Sequence, residues 1–235
     1  MLKISNLKKE FDNKTIVNID NLEVGRGELF CFLGTNGAGK TTTIKMITGL
    51  LKPTSGNIYI DGLDIEQNSV EVKKKMAYVA DFPILYKKIT GREFIRFVAN
   101  MYGVLSDLHL EKKIDDLLNL FNLNDNADQY IESYSKGMKQ KVQIISALVH
   151  DPEIILFDEP FNGLDAEGII ALKDIMVSEA KKGKLIFLST HILDIVESIC
   201  SKVAILSKGS IKYIGNLEDE ENNFKEKFIE LTKER

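Results

Sequence analysis

Residues 34 to 41 read Gly-Thr-Asn-Gly-Ala-Gly-Lys-Thr, the spacing G-x-x-x-x-G-K-S/T, and they follow an apolar run that ends at Leu33. Glycines at this spacing let successive backbone N–H groups converge on phosphate oxygens, and a helix starting at the lysine presents its positive end to the same anion. Lys40 is placed to reach β and γ phosphates as a point charge, and the Thr41 hydroxyl to ligate Mg2+. The candidate phosphate contacts are Gly34, Thr35, Asn36, Gly37, Ala38, Gly39, Lys40, Thr41 and Thr42. The pattern arises by chance in roughly one chain in a hundred of this length, and its strand-loop-helix setting reduces that further.

A second segment, Ile154-Ile155-Leu156-Phe157-Asp158-Glu159, is an apolar run closed by two carboxylates. Alternation along a strand sends these side chains in different directions, so they can serve one site in different ways. Asp158 is the natural second anchor for Mg2+, through water, because Mg2+ keeps much of its hydration. Glu159 is then free to polarise a water for attack on a γ phosphate, as general base or positioner. On its own, an acidic strand end is more often a solvated terminus; the phosphate loop gives it meaning.

These residues need a scaffold, and the chain alternates short apolar stretches with stretches of helical period, as an α/β domain does. Strands are expected at Leu2 to Ser5, Thr15 to Ile19 and Glu28 to Leu33. A helix from Lys40 to Leu50 is halted by the turn Lys52-Pro53-Thr54-Ser55-Gly56, and a strand at Ile58 to Ile60 is closed by Asp61-Gly62. From Thr90 to about Leu123 only helical period remains, with Leu110, Ile114, Leu117, Leu118 and Phe121 on one face, which reads as a helical insertion. Alternation then resumes with strand Ile154 to Phe157, helix Ile169 to Ala180, strand Leu185 to Leu188, helix Ile192 to Cys200 and strand Val203 to Leu206. Such connections favour a mainly parallel sheet covered by helices. In the charge-rich tail, Leu217, Phe224, Phe228 and Leu231 keep a helical stripe.

Composition sets the outer limits. With 235 residues, 44% hydrophobic, and a net charge of −4, the chain can bury enough surface to fold, which excludes disorder. Two cysteines, Cys31 and Cys200, exclude a disulfide scaffold and point to a reducing compartment. An isoelectric point near 5.6 argues against a nucleic-acid partner. No apolar run approaches the ~18 residues needed to cross a bilayer, and the start lacks the apolar core of a secretion signal. A cytoplasmic location is expected, with any membrane role supplied by a partner.

The segment Tyr134-Ser135-Lys136-Gly137-Met138-Lys139-Gln140 adds the most specific signal. Ser135 suits the cap of a helix running to about Val149, and Gly137 lets the backbone approach an anion closely. With this segment, nearly the whole chain resembles the ATP-binding subunit of an ABC transporter, of the bacterial single-cassette exporter type. The family's signature sequence stands here as S-K-G-M rather than S-G-G-Q.

The resemblance implies an α/β fold: a P-loop NTPase core of the RecA-like kind, with a mainly parallel sheet, an N-terminal antiparallel β subdomain and an inserted helical subdomain. It divides a single ABC ATPase domain, 1–235, into a core from 1–82 and 139–235 and an insertion, 83–138, carrying the signature. ATP and Mg2+ are the implied cofactors, and ATP hydrolysis the implied reaction. In the family, the signature contacts the γ phosphate of ATP held by a second copy. Ser135 and Gly137 therefore imply a homodimer, or a heterodimer with another ATP-binding subunit, enclosing two ATP.

Asn162-Gly163-Leu164-Asp165 matches the family's loop along the dimer seam and brings Asp165 to the nucleotide, although a plain turn is the simpler reading. Ser189-Thr190-His191 lies where the family places a histidine that touches the γ phosphate, so Glu159 and His191 form the implied catalytic pair. Phe11 stands where an aromatic stacks on adenine; a core position is its competing expectation. Asp81 replaces the usual Gln, and its shorter carboxylate leaves direct Mg2+ coordination open beside a water-bridged contact. Thr41, Asp81 and Asp158 are thus the implied metal set. His109 and His150 are expected on solvated helix surfaces, Lys73-Lys74-Lys75 on a solvated helix face, and both cysteines in buried packing.

Apolar residues from Phe82 to Tyr86, running on to Thr90-Gly91, are expected to be exposed on a lone chain. In the family this region receives a short helix from an integral-membrane permease. The motor of a membrane exporter, peripheral on the cytoplasmic face, is therefore the favoured function. A soluble ABC ATPase, such as one of iron-sulfur assembly, is the alternative.

Overall fold

The computed structural model describes residues 1–219 and 224–233. The chain opens with an antiparallel hairpin, β1 (Leu2–Phe11) and β2 (Lys14–Val24), and the buried strand β3 (Leu29–Leu33) leads into helix α1 (Lys40–Ile47). Next come β4 (Ser55–Ile60), β5 (Leu63–Asp64), α2 (Ser69–Lys74) and β6 (Met76–Val79). Helices α3 (Gly91–Met101), α4 (Leu108–Leu120) and α5 (Lys136–Leu148) precede β7 (Ile154–Asp158), α6 (Ala166–Lys181) and β8 (Leu185–Thr190). The chain continues through α7 (Leu193–Ile199), β9 (Lys202–Ser207), β10 (Ser210–Asn216) and α8 (Phe224–Thr232). Within the expected core segment 139–235, residues 220–223 and 234–235 lie outside the described residues.

Two sheets result. The smaller is antiparallel, in the order β2-β1-β4-β5. The larger runs β10-β9-β3-β8-β7-β6, parallel from β9 to β6, with β10 antiparallel on one edge. Every residue of β3 is buried because both faces of the large sheet are covered, which is why this strand reads as a continuous apolar run.

Strand alternation divides β3 between two cores. Leu29, Cys31 and Leu33 enter a core shared with the helices, whereas Phe30 and Phe32 enter one enclosed with the small sheet and α1. Phe187 of β8 joins the second core, its ring 5.1 Å from Phe30 and 4.9 Å from Phe32. Each such buried side chain contributes roughly 1.5–3 kcal/mol. The result is a stiff strand directly upstream of the glycine-rich loop.

The helical period after Thr90 becomes α3 and α4. Thr90 and Glu93 form a reciprocal capping box at the start of α3, and Asp107 accepts from the Leu110 N–H at 2.9 Å to start α4. Arg96 grips Glu111 with two hydrogen bonds of 2.6 and 2.9 Å, tying α3 to α4. Leu110, Ile114, Leu118 and Phe121 are buried as their spacing requires, with Leu117 partly so.

Several boundaries moved. Helix α1 stops at Ile47, short of Leu50, because Gly49 turns to φ +66 and leaves Leu50 exposed. Leu217 sits in a short 3-10 turn, and among the described residues the tail helix covers Phe224–Thr232. His109 is exposed as expected, but His150 is not: its ring stacks on Tyr102 at 3.6 Å, and both ring nitrogens are buried. The end of α5 turns inward toward β6, and α3 supplies the covering ring from far away in sequence. Cys31 and Cys200 are free, buried and adjacent; burial and the Cys200 neighbour push the Cys31 thiol well up. Among the described residues no helix is long and apolar enough to cross a membrane.

Candidate nucleotide site

The phosphate loop connects β3 to α1 and closes against both sheets. Gly39 has φ +103, and a Cβ there would stand 3.1 Å from the Ile16 carbonyl oxygen, so the backbone must be bare where the helix begins. Lys40 is buried; its ammonium donates to the carbonyls of Gly34 at 2.7 Å and Thr35 at 3.2 Å, holding the loop as a closed cradle.

Parallel pairing of β7 with β8 sets Asp158 opposite Ser189. The Ser189 hydroxyl donates to Asp158 Oδ1, and the Thr41 hydroxyl donates to the same oxygen at 3.1 Å. Asp158 Oδ2 is buried without a hydrogen bond, an uncommon position for a carboxylate oxygen. Burial raises the Asp158 pKa above the usual range, the Ser189 and Thr41 hydroxyls oppose that, and the charges of Glu159 and Asp81 add to it. Tyr78 lies beside this carboxylate, and burial together with Asp158 pushes its phenol well up. An orphaned carboxylate oxygen beside a threonine hydroxyl is a donor set that fits a hard divalent cation. Among the described residues no cage of three or more His, Cys, Asp or Glu side chains exists, so such a cation would take few protein ligands, the habit of Mg2+.

Glu159 follows at φ +47, a left-handed backbone conformation that costs a non-glycine residue about 1 kcal/mol. Its N–H donates to the Ser189 carbonyl at 3.0 Å, fixing the turn. The carboxylate lies between two cationic or proton-bearing groups. Oε2 is 3.0 Å from His191 Nδ1, while Oε1 is 3.2 Å from the Lys40 ammonium, close enough for ion pairing but not aligned as a hydrogen bond. The Glu159 side chain is 10% exposed and that of His191 45%, so one end of the pair faces inward and the other outward.

Asn36 through Thr42, with Ile16, Asp81 and Glu159, line a cavity of about 340 Å³. A larger groove of about 510 Å³ lies between α4 and α6, but it collects no comparable convergence of backbone donors and carboxylates. Chemistry, not size, selects the smaller cavity.

Other expected site residues stand apart from it. Ser135 caps α5 by accepting from the Met138 N–H at 3.2 Å, and Gly137 faces Gly163, whose carbonyl oxygen would be 2.5 Å from an added Cβ. Asp165 caps α6 through the Gly168 N–H at 2.9 Å and pairs with the Lys141 ammonium at 2.9 Å. Phe11 is 47% exposed at the hairpin tip, beneath the Lys9 ammonium, and is not a core residue. Ser135, Gly137, Asp165 and Phe11 do not line the cavity.

Sequence reasoning gives Ser189, Asn162 and Gln140 only as members of their motifs, without a role, and does not single out Lys141. Ser189 is found only through the register of β7 with β8. Asn162 donates to Asp81 at 2.8 Å and Gln140 to the Pro160 carbonyl at 3.1 Å, contacts that nothing in the local pattern announces.

Residues 17–162 match the protein family described as ABC transporter. The lantibiotic transport ATP-binding protein SrtF of Streptococcus pyogenes is 35% identical over 229 residues, covering 95% of this chain and 96% of that protein. A solved ATP-binding subunit of an ABC transporter superposes with a TM-score of 0.91 at 37% identity, over 99% of this chain and 100% of the other. A dimeric post-hydrolysis state of the ATP-binding cassette MJ0796, bound to ADP and Pi, superposes with a TM-score of 0.82 at 25% identity, over 92% and 99% of the two chains. On this likeness, joined to a cavity that Asn36 to Thr42 of the phosphate loop share with Glu159, the chain belongs to the ABC transporter family as an ATP-binding, ATP-hydrolysing subunit.

Proposed function

We propose that the chain is the motor of a bacterial membrane exporter, acting as one half of a pair that encloses two ATP and docking on an integral-membrane permease at the cytoplasmic face. The single observation that carries the reading is a separation. Lys40, Thr41, Asp81 and Glu159 share the cavity, while Ser135 and Gly137 stand off it at the start of α5. A second copy, homologous or identical, then supplies the missing signature to each phosphate loop. The division into a core, 1–82 and 139–235, and a signature-bearing insertion, 83–138, belongs to the same proposal.

The residues divide the work. The backbone of Gly34 to Gly39 and Lys40 hold the phosphates, with Thr41 and Thr42 at the helix start. Thr41, Asp158 and Asp81 would hold Mg2+, which supplies charge neutralisation along the transferring phosphoryl group. Glu159 accepts the proton of the attacking water, and His191 holds its carboxylate and approaches the γ phosphate. Phe11 is exposed and available to stack on the adenine. Asp165, anchored by Lys141, keeps the seam loop in place.

The exposed residues Phe82, Ile84 and Tyr86, at 70%, 89% and 62%, form the seat proposed for a helix of the permease. Tagged Glu159→Gln chain, recovered from membranes in ATP, should carry a polytopic membrane protein with it. Recovery of soluble partners alone would overturn the exporter reading. Lys40→Ala, which removes the ammonium from the phosphate cradle, is expected to lose ATP binding by about a hundredfold or more, read by titration with a fluorescent ATP analogue.

A further inference from the structure

Asp81 is a half-buried carboxylate in the cavity wall, and among the described residues it makes no ion pair. One of its oxygens is nevertheless held: Asn162 Nδ2 donates to Asp81 Oδ1 at 2.8 Å. A carboxylate only accepts, so the amide nitrogen must face it, and the orientation of Asn162 is fixed by chemistry. Asn162 also donates its backbone N–H to the Glu159 carbonyl at 3.2 Å. One residue therefore grips both the carboxylate of Asp81 and the backbone of Glu159.

The loop that carries Asn162 is fastened at both ends. Gln140 of α5 donates to the Pro160 carbonyl at 3.1 Å, and Lys141 pairs with Asp165 at 2.9 Å. The loop has little freedom to follow Asp81; Asp81 must follow the loop.

We infer that Asn162 is the positioning residue for Asp81. It fixes one oxygen of a short carboxylate, leaves the charge uncancelled because the donor is neutral, and directs the remaining oxygen to the cation that accompanies ATP. Through its backbone bond it keeps the Asp81 carboxylate in a constant relation to the backbone of Glu159. The inference rests on the nucleotide site proposed above.

The test is a mutant cycle in the full chain, with kcat and KM for ATP, the Mg2+ concentration for half-maximal nucleotide binding, and Tm as readouts. Asn162→Ala should lower kcat about tenfold, leave KM within about twofold, and raise the Mg2+ midpoint about threefold or more. Asn162→Asp, which sets two carboxylates face to face, should lose about a hundredfold in kcat, and adding Asp81→Asn should recover about tenfold by re-forming a donor-acceptor pair. Unchanged readouts in Asn162→Ala, or a double variant no better than Asn162→Asp, would overturn the inference. So would losses in Asn162→Ala and Asn162→Ser that follow Tm alone with the Mg2+ midpoint unmoved. If Glu159→Gln kept normal turnover, the site itself and this inference would fall together. An inactive Glu159→Gln beside an unaffected Asn162→Ala strikes only the pair.

Discussion

Asp158 is buried at a cost to folding, at the position proposed above to hold a cation. Its folded-state pKa is raised, chiefly by burial, so the ionised form is disfavoured in the folded chain relative to the unfolded one. The sign follows: above the ordinary carboxylate pKa of 3.8 this group opposes folding, and the opposition fades as pH falls toward that value. Asp158→Asn should therefore raise Tm at pH 7 without nucleotide or Mg2+, and the gain should shrink at lower pH. The same variant should lose Mg2+-dependent hydrolysis by about a hundredfold or more. Thermal melts at two pH values check the first part and an ATPase assay the second; a lower Tm at pH 7 would mean that Asp158 stabilises rather than waits. Glu159 shows the same economy, with a left-handed backbone at the residue proposed to activate the attacking water.

At the scale of elements, the join between the helical segment and the sheet is a stacked pair, Tyr102 from the end of α3 on His150 after α5. Burial lowers the His150 pKa from 6.5 to about 4, partly offset by the Met76 carbonyl, which also accepts from the Tyr102 hydroxyl at 3.3 Å. A base depressed in the folded state contributes stability that is full above pH 6.5 and is lost as pH falls through about 4. Discounted for the part of the ring that meets solvent, the loss between pH 7 and pH 5 is about 1 to 2 kcal/mol. His150→Phe keeps a ring against Tyr102 and cannot titrate, so its unfolding free energy in urea should vary less over that range. An equal pH dependence in both proteins would remove His150 from the account.

The elements also mark how far residue patterns reach. Strands β3, β7 and β8 were legible because sheets covered on both faces demand unbroken apolar runs, and α4 because its buried stripe keeps helical spacing. Strand β10 escaped notice because it lies at an edge and is only half-buried; α2 and β6 are short and run together as Lys73-Lys74-Lys75-Met76. The phosphate loop and Asp158-Glu159 were legible because consecutive residues carry the chemistry. Ser189, Asn162 and the burial of His150 depend on neighbours brought together only by strand order and helix packing, which no local spacing encodes.

For the whole molecule, the expectation is a division of labour between two copies. The cavity holds the phosphate loop, Asp81 and Glu159, and the start of α5 with Ser135 and Gly137 is left to serve elsewhere. A pair in which each copy's α5 start faces the other's phosphate loop would complete both sites at once, with two-fold symmetry if the copies are identical. The exposed apolar residues near Phe82, proposed above as the seat for a permease helix, would then occur twice in the pair.

The most direct measurement of that claim mixes two defective chains. Lys40→Ala disables the phosphate loop and Ser135→Arg blocks the signature, so each protein alone should be almost inactive in ATP hydrolysis. In a mixed pair, one site combines both defects and the other has neither. At equal concentrations, activity should return to about a quarter of the normal rate if pairs form at random and sites turn over independently. A mixture as inactive as its parts, or full activity in Ser135→Arg alone, would contradict the account.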